Sequence, residues 1–477
     1  MYIFLNLTTN SGLIKLKYKI MKSNINIVYA LLLTLAFVSC SSSDNDSDSN
    51  TPPSYPQYGT SFAKMPNKED AIIYQVNIRA FSQAGTLKGV QDRLTQIKDL
   101  GANVIYLMPI YPIGIEKGIG SPYAVKDYKA VNTDFGTLED LRTLVEEAHK
   151  KDMAVILDWV ANHTAWDNAW ITANPDWYQK NPETGNIVSP PGYNDVAQLD
   201  FTNTEMKAAM IDAMAYWVYT ANIDGFRCDY ADFVPPGFWT DAITKLRSIK
   251  KNQKILMLAE GSKASHFTSG FDYTFGFNFF STLEQLFKDS KPATTIQDSN
   301  ATEYANNYNP ENKVVRYTSN HDVNWTEGTP IELFGGKKGS IATFVVAAYL
   351  KSIPMIYNGQ EVGYAQKIDF FNNTPIDWST ADTEMLAEYT KIIAFRNTSN
   401  AIKKGTFTGY SSNAISAFTM VKDTEKVFVL SNLTNASIKY LVTNSLKGAW
   451  KDAFTGNPVT LESEITLAPY QYLILKN

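Results

Sequence analysis

From Ile72 to about Phe395 the chain alternates between short apolar runs and longer stretches whose apolar residues recur at helical spacing. The first run, Ile72-Ile73-Tyr74-Gln75-Val76-Asn77-Ile78, reads as a strand. It is followed by Val90, Leu94, Ile97 and Leu100 on one helical face, with Gly101 as the C-cap. A second strand is predicted over Asn103 to Met108. Thr137 and Asp140 then form a capping-box start for a helix that buries Leu138, Leu141, Val145 and Ala148. Strand three is Met153 to Leu157, and a helix with Met206, Met210, Ala213 and Trp217 leads to strand four, Gly225 to Cys228. Strand five ends at Glu260, strand six falls near Phe271 to Tyr273, strand seven ends before Asn320, and strand eight is Met355-Ile356-Tyr357, with a helix over Thr383 to Phe395 to follow. Eight such units predict an α/β fold, a (β/α)8 TIM barrel, whose functional residues belong at the C-terminal ends of the strands. An open doubly wound sheet would carry a glycine-rich phosphate loop after its first strand, and Ala80-Phe81-Ser82-Gln83-Ala84-Gly85 is not one.

Two stretches break this rhythm. Residues 163–201 form an irregular insert rich in Trp, Pro, Asn and Gly, and after Lys404 the pattern turns to alternating strands separated by Gly and Asn turns, which predicts a C-terminal antiparallel β-sandwich. The expected domains are therefore a catalytic barrel over 67–404 and the sandwich over 405–477. Before the barrel, Ile25 to Val38 is an apolar run shorter than the roughly 20 residues of a membrane span but suited to a signal-peptide core. Met21-Lys22 gives that core a basic start, so residues 1–40 are read as an upstream extension plus signal peptide. Phe37-Val38-Ser39-Cys40 resembles a bacterial lipobox, which would make Cys40 a lipidated first residue of the mature chain. Residues 41–66, acidic and polar at first and Pro-containing, are expected to be a flexible linker.

Composition narrows the function. The 477 residues carry a formal charge of −5, which argues against nucleic acid as a partner, and 13% are aromatic, which suits stacking on sugar rings. The two cysteines, Cys40 and Cys228, stand in contexts too different for a disulfide.

Candidate chemistry gathers where apolar strands end. Arg227 and Asp229, two apart on strand four, share one face, so a fixed cation lies beside a carboxylate and is expected to hold it ionised. Glu260 follows the apolar Ile255 to Ala259, where partial desolvation is expected to keep a carboxyl protonated. Asp158, Asn162 and His163 end strand three, and Asn320-His321-Asp322 end strand seven; two of the four histidines in the chain thus sit beside Asn at strand ends. One ionised and one protonated carboxyl group are what hydrolysis of a glycosidic acetal requires.

These four stretches, in this order, resemble the sequence regions of the α-amylase family, glycoside hydrolase family 13, from about Ile72 to Gly363. The resemblance implies Asp229 as nucleophile, Glu260 as acid/base and Asp322 as the third carboxylate, with retention of anomeric configuration. Arg227, His163 and His321 would bind substrate, Tyr123 would stack on the glucose being cleaved or pack on the barrel, and Asp158 would support Arg227. The insert corresponds to the family's domain B. Asn162 matches a calcium ligand, but a second ligand, an Asp in the family, is Gln198 here. Ca2+ is thus a candidate ion that the chemistry does not require, and no other cofactor is implied. A Lys-His pair after the nucleophile in endo-acting members is replaced by Asp232-Phe233, which offers at most one acceptor and one stacking face. No Arg stands between Gln360 and Trp378, and the Asp-rich loop of oligo-1,6-glucosidases is missing around Gln83 to Lys88. The expected activity is cleavage of α-1,4-glucosidic bonds in starch or malto-oligosaccharides. A cyclodextrinase, neopullulanase or glucan-transferring relative is the nearest alternative, and an inactive sugar-binding barrel the most distant. The expected location is the bacterial outer membrane, attached through a lipidated Cys40; the oligomeric state stays open.

Overall fold

The computed structural model describes residues 55–249, 254–305 and 312–477. The lipobox, Cys40 and the start of the linker lie outside them. Among the described residues no helix is long and apolar enough to cross a membrane.

Eight strands close into a parallel barrel in sequential order: β1 (Ile73–Val76), β2 (Val104–Leu107), β3 (Ala154–Val160), β4 (Gly225–Asp229), β5 (Leu256–Ala259), β6 (Tyr273–Phe275), β7 (Lys313–Arg316) and β8 (Ser352–Tyr357). The seam pairs Ile73 of β1 with Met355 of β8. Nearly every strand position is buried, because helices cover the outside and side chains fill the inside, which is why the strands read as continuous apolar runs. The capping box forms as the sequence predicts: Asp140 N–H donates to Thr137 Oγ1 (3.2 Å), Thr137 N–H donates to the Asp140 carboxylate (2.8 Å), and the helix runs over Leu138–Lys150.

Three boundaries move. The helix expected to carry Val90 to Leu100 is two pieces, Leu87–Gln91 and Leu94–Asp99. Strand β3 continues to Val160, so Asp158 lies inside it rather than beyond it. Strand β6 begins two residues later than expected, because Asp272 is occupied at its entrance: its carboxylate accepts from Met257 N–H (2.9 Å) and pairs with Arg247 (3.1 Å), and ladder pairing starts only at Tyr273, opposite Leu258.

The linker expectation is also corrected from Tyr55 onward. Tyr55 Oη donates to Asp212 (2.6 Å) and its ring packs edge-on against Tyr216, while Tyr58 N–H donates to Tyr219 O (2.7 Å). These contacts seat the segment on the helix Thr204–Thr220, whose aromatic outer face needs a cover.

In the insert, His163–Ala165 pairs antiparallel with Val196–Gln198. Trp170 stacks on Tyr128 and meets Trp177 edge-on, and Tyr178 is buried against Thr164, so these aromatics form the insert's small core. After the helix Asn400–Lys404 comes a six-stranded sheet, Thr406–Gly409, Ile415–Lys422, Glu425–Asn432, Tyr472–Lys476, Gly448–Asp452 and Pro458–Leu461 in spatial order, with Ile438–Leu441 and Glu464–Leu467 as a second, two-stranded sheet. Strand alternation divides the sheet's faces. Phe418, Met420, Val427 and Val429 join the barrel's core, whereas Ala417, Phe428 and Leu430 face a separate core with Trp450 and Leu475.

Candidate active site

The C-terminal ends of β3, β4, β5 and β7 deliver the predicted residues to one cavity of about 430 Å³, lined by Asp229, Glu260, Asp322, His163, His321 and Tyr123 among others. At its floor lies Arg227, without exposed surface. Register places it directly opposite Asp158 on the neighbouring strand, and its Nη1 donates to Asp158 Oδ1 at 2.7 Å. Nη1 also donates to Asp229 Oδ1 at 3.1 Å, as the same-face spacing predicts, and Nη2 forms an ion pair with Glu260. One guanidinium therefore holds three carboxylates at once.

This sharing changes the expected electrostatics. Burial and the charge of Glu260 push Asp229 well above the usual carboxylate range, and the pull of Arg227 does not offset them. Glu260, for its part, is not in apolar surroundings: besides the guanidinium, its Oε2 accepts from Tyr230 N–H at 2.8 Å. The expected split, one carboxylate charged by Arg227 and the other neutral by desolvation, gives way to a pair sharing a cation, and so sharing a proton, as a unit.

His321 is fixed from both sides. Gln75 Nε2 lies 2.7 Å from Nδ1, and Tyr123 Oη lies 2.7 Å from Nε2 and 2.8 Å from Asp158 Oδ2. With Gln75 donating to Nδ1, the ring proton sits on Nε2 and is given to Tyr123, whose own proton goes to Asp158. Tyr106 adds a second hydroxyl to Asp158 at 2.6 Å. Burial pushes the His321 pKa down from 6.5 to about 4, helped by Arg227, and burial pushes His163 down to about 4 as well. Both rings are neutral near pH 7. Asp322, half exposed at 52%, stands 3.4 Å from His321 with an oxygen open to the cavity.

Tyr123 lies at the cavity edge, parallel to His321 and to Phe370, with its hydroxyl engaged as above. Phe233 is 65% exposed and stacks on Tyr230 at 4.0 Å, and Tyr193 of the insert meets Tyr230 edge-on, so an aromatic wall stands on the β4 side of the cleft. Asp232, expected to offer a sugar an acceptor, is engaged elsewhere. Its carboxylate accepts from Ser262 N–H (3.1 Å) and Lys263 N–H (3.3 Å) and meets His266 Nε2 at 2.6 Å.

Sequence reasoning missed Gln75, Tyr106, Tyr230 and Phe370. Gln75 and Tyr106 carried a readable signal, since an amide and a hydroxyl inside apolar parallel strands must find buried partners.

The residues matched to a calcium site do not fit the ion. Gln198 Nε2 donates to Asn162 Oδ1 (3.0 Å), and Asn162 Nδ2 donates back to Gln198 Oε1 (3.3 Å). The two amides satisfy each other and bring no charge, whereas a hard cation needs several oxygens, with carboxylates among them, for tight binding. Among the described residues no group of three or more His, Cys, Asp or Glu is placed to hold a metal.

Comparison with known proteins agrees with this geometry. The family model of the α-amylase catalytic domain matches residues 43–194 and 190–440. Alpha-amylase 2 of Dictyoglomus thermophilum is 28% identical over 450 residues, covering 86% of this chain and 76% of that protein. Neopullulanase 2 of Thermoactinomyces vulgaris is 27% identical over 428 residues, covering 82% of this chain and 71% of that protein. The crystal structure of an α-amylase from Lactobacillus plantarum superposes with a TM-score of 0.77 at 25% identity, covering 86% of this chain and 99% of that one.

Proposed function

Since the chain belongs to the α-amylase catalytic-domain family and is a glycoside hydrolase of that family, we propose that it cleaves α-1,4-glucosidic bonds in starch or malto-oligosaccharides, with Asp229 as nucleophile and Glu260 as acid/base. The observation that carries this reading is the single buried guanidinium of Arg227 in contact with both carboxyl groups at the floor of an aromatic-walled cleft. A pair that shares one proton is at once an acid and a carboxylate. The glycosidic oxygen takes the proton from Glu260, the bond to C1 breaks, and Asp229 Oδ closes on C1 to give a glycosyl ester. Glu260, now ionised, takes a proton from water, whose oxygen displaces Asp229 from C1 and restores the first configuration. Asp322 and the neutral imidazoles of His163 and His321 hydrogen-bond sugar hydroxyls without adding charge where an oxocarbenium-like centre develops.

The leaving-group side sets the substrate mode. With Asp232 engaged by its own loop, Phe233 and Tyr230 supply stacking and little else there. Long chains thus gain little over short ones, and maltose-like products accumulate early. Relatives named both α-amylase and neopullulanase leave cyclodextrin and pullulan as the competing substrates. A time course of products on starch, pullulan and cyclodextrin tests the reading. Early short products from starch support it, whereas a rapid loss of iodine staining with only long products, or faster turnover of pullulan or cyclodextrin, refutes it. Attachment to an outer membrane through Cys40 remains part of this proposal, and Cys40→Ala is expected to release the protein from the membrane fraction.

A further inference from the structure

Asp232 and His266 take no part in the chemistry above, yet they are built into its frame. His266, on the short helix Ser265–Thr268, is 2% exposed and its Nε2 meets Asp232 Oδ1 at 2.6 Å. The same carboxylate accepts the amides of Ser262 and Lys263, and the Lys263 ammonium reaches back to the Asp232 carbonyl. Against burial, which pushes it up, the His266 ring and these amides hold the Asp232 carboxyl below its ordinary range. The result is that the loop after β4 is laced to the loop after β5.

That lacing ends on Glu260. Ala231 N–H donates to Glu260 O at 3.0 Å, and Tyr230 N–H donates to the Glu260 carboxylate at 2.8 Å. Tyr230 adopts a left-handed backbone, φ 51°, a conformation costly outside glycine, and this turn directs its N–H at the carboxylate. Gly261 has no room for a side chain: a Cβ there would lie 2.5 Å from Asp232 Oδ1 and 2.5 Å from His266 Nε2. The carboxylate and imidazole thus press directly on the backbone of the residue that follows Glu260.

We propose that Asp232 and His266 are positioning residues that hold the Glu260 carboxyl group where it can deliver its proton to the glycosidic oxygen. The proposal rests on Glu260 being the acid/base. It is tested with two substrates in parallel, maltotetraose, whose leaving sugar needs a proton, and 2,4-dinitrophenyl α-maltoside, whose phenolate leaves without one. The quantity read is kcat/KM, which reports the first chemical step. Glu260→Gln is expected to lose about 10²–10⁴-fold on maltotetraose and far less on the aryl glycoside. Asp232→Ala and His266→Ala are expected to show the same selectivity at a smaller scale, about 10–100-fold on maltotetraose and within about twofold on the aryl glycoside, as for a catalytic group displaced by around an ångström. His266→Gln, which keeps an N–H donor toward Asp232, is expected to recover most of the loss. If Asp232→Ala does not fold, the His266 pair of variants carries the test. Selective loss in Glu260→Gln together with equal loss on both substrates, or no loss, in the His266→Ala enzyme overturns the positioning role and leaves the acid/base assignment standing. Equal loss on both substrates in Glu260→Gln overturns that assignment and the positioning role with it.

Discussion

Asp158 and Arg227 face each other across adjacent strands of the barrel, bonded at 2.7 Å, with neither side chain reaching solvent. The pair fixes one end of the guanidinium, so that the other can serve Asp229 and Glu260. Two tyrosine hydroxyls, from Tyr106 and Tyr123, complete the acceptor capacity of Asp158. A buried ion pair satisfied to this degree contributes definition of geometry more than net stability, but breaking it leaves a charge without its main partner.

Asp158→Asn is therefore expected to destabilise the protein by about 3 kcal/mol or more and to lower kcat. A shift of the urea midpoint at unchanged denaturant slope checks the first effect. An unchanged midpoint would mean that Arg227 is held by the other two carboxylates alone.

Asp229→Asn and Glu260→Gln are expected to reduce kcat by several powers of ten while leaving the melting temperature at or above that of the parent. Removing one charge from a carboxylate pair that shares a single cation relieves repulsion, so the barrel does not depend on either for folding. Near-parental turnover in either folded variant would exclude it from the chemistry.

The two buried imidazoles make stability depend on acid. Each has its pKa lowered from 6.5 to about 4 by burial, so in the unfolded chain the rings protonate below pH 6.5 while in the folded protein they stay neutral until about pH 4. Their contribution is complete above pH 6.5 and falls as pH drops through the window to about 4, by roughly 3 kcal/mol for each ring at its lower end. Unfolding curves at pH 7, 5.5 and 4.5 should show this decline, and it should be smaller in His163→Gln. An identical decline in that variant would place the effect elsewhere.

Chelation is expected to do nothing. Because Asn162 and Gln198 satisfy each other, treatment with EDTA should leave both melting temperature and activity on starch unchanged. A fall of several degrees that added Ca2+ reverses would show that the amides part to admit the ion.

Much of this was legible in the sequence because parallel barrel strands announce themselves as apolar runs and their last residues face the site. Arg227, Asp229, Glu260, His163, His321 and Asp322 were all found from that rule. What the rule could not give was the traffic between loops. Asp232 looked like a spare acceptor because nothing local says that Ser262, Lys263 and His266 will return to it from the next strand. The same blindness affected the two carboxyl groups: the neighbourly effect of Arg227 on Asp229 is visible at a spacing of two, whereas its sharing with Glu260 is a tertiary fact. Strand β6 slipped by two because Asp272 spends its carboxylate on a strand it is not part of.

The barrel's closing seam bears on how the chain reaches its shape in time. Tyr74 at the seam donates to Glu361, 287 residues away in sequence, and Gln75 meets His321 across 246. Contacts so distant come late in folding, since the loop entropy must be lost before they form. A nascent chain that lacks its last barrel strand therefore has its first strand's edge unsatisfied and the imidazole of its sugar site without its amide partner. Such a protein acquires activity in one step near the end of folding, so refolding followed by enzyme turnover should lag behind refolding followed by helix content.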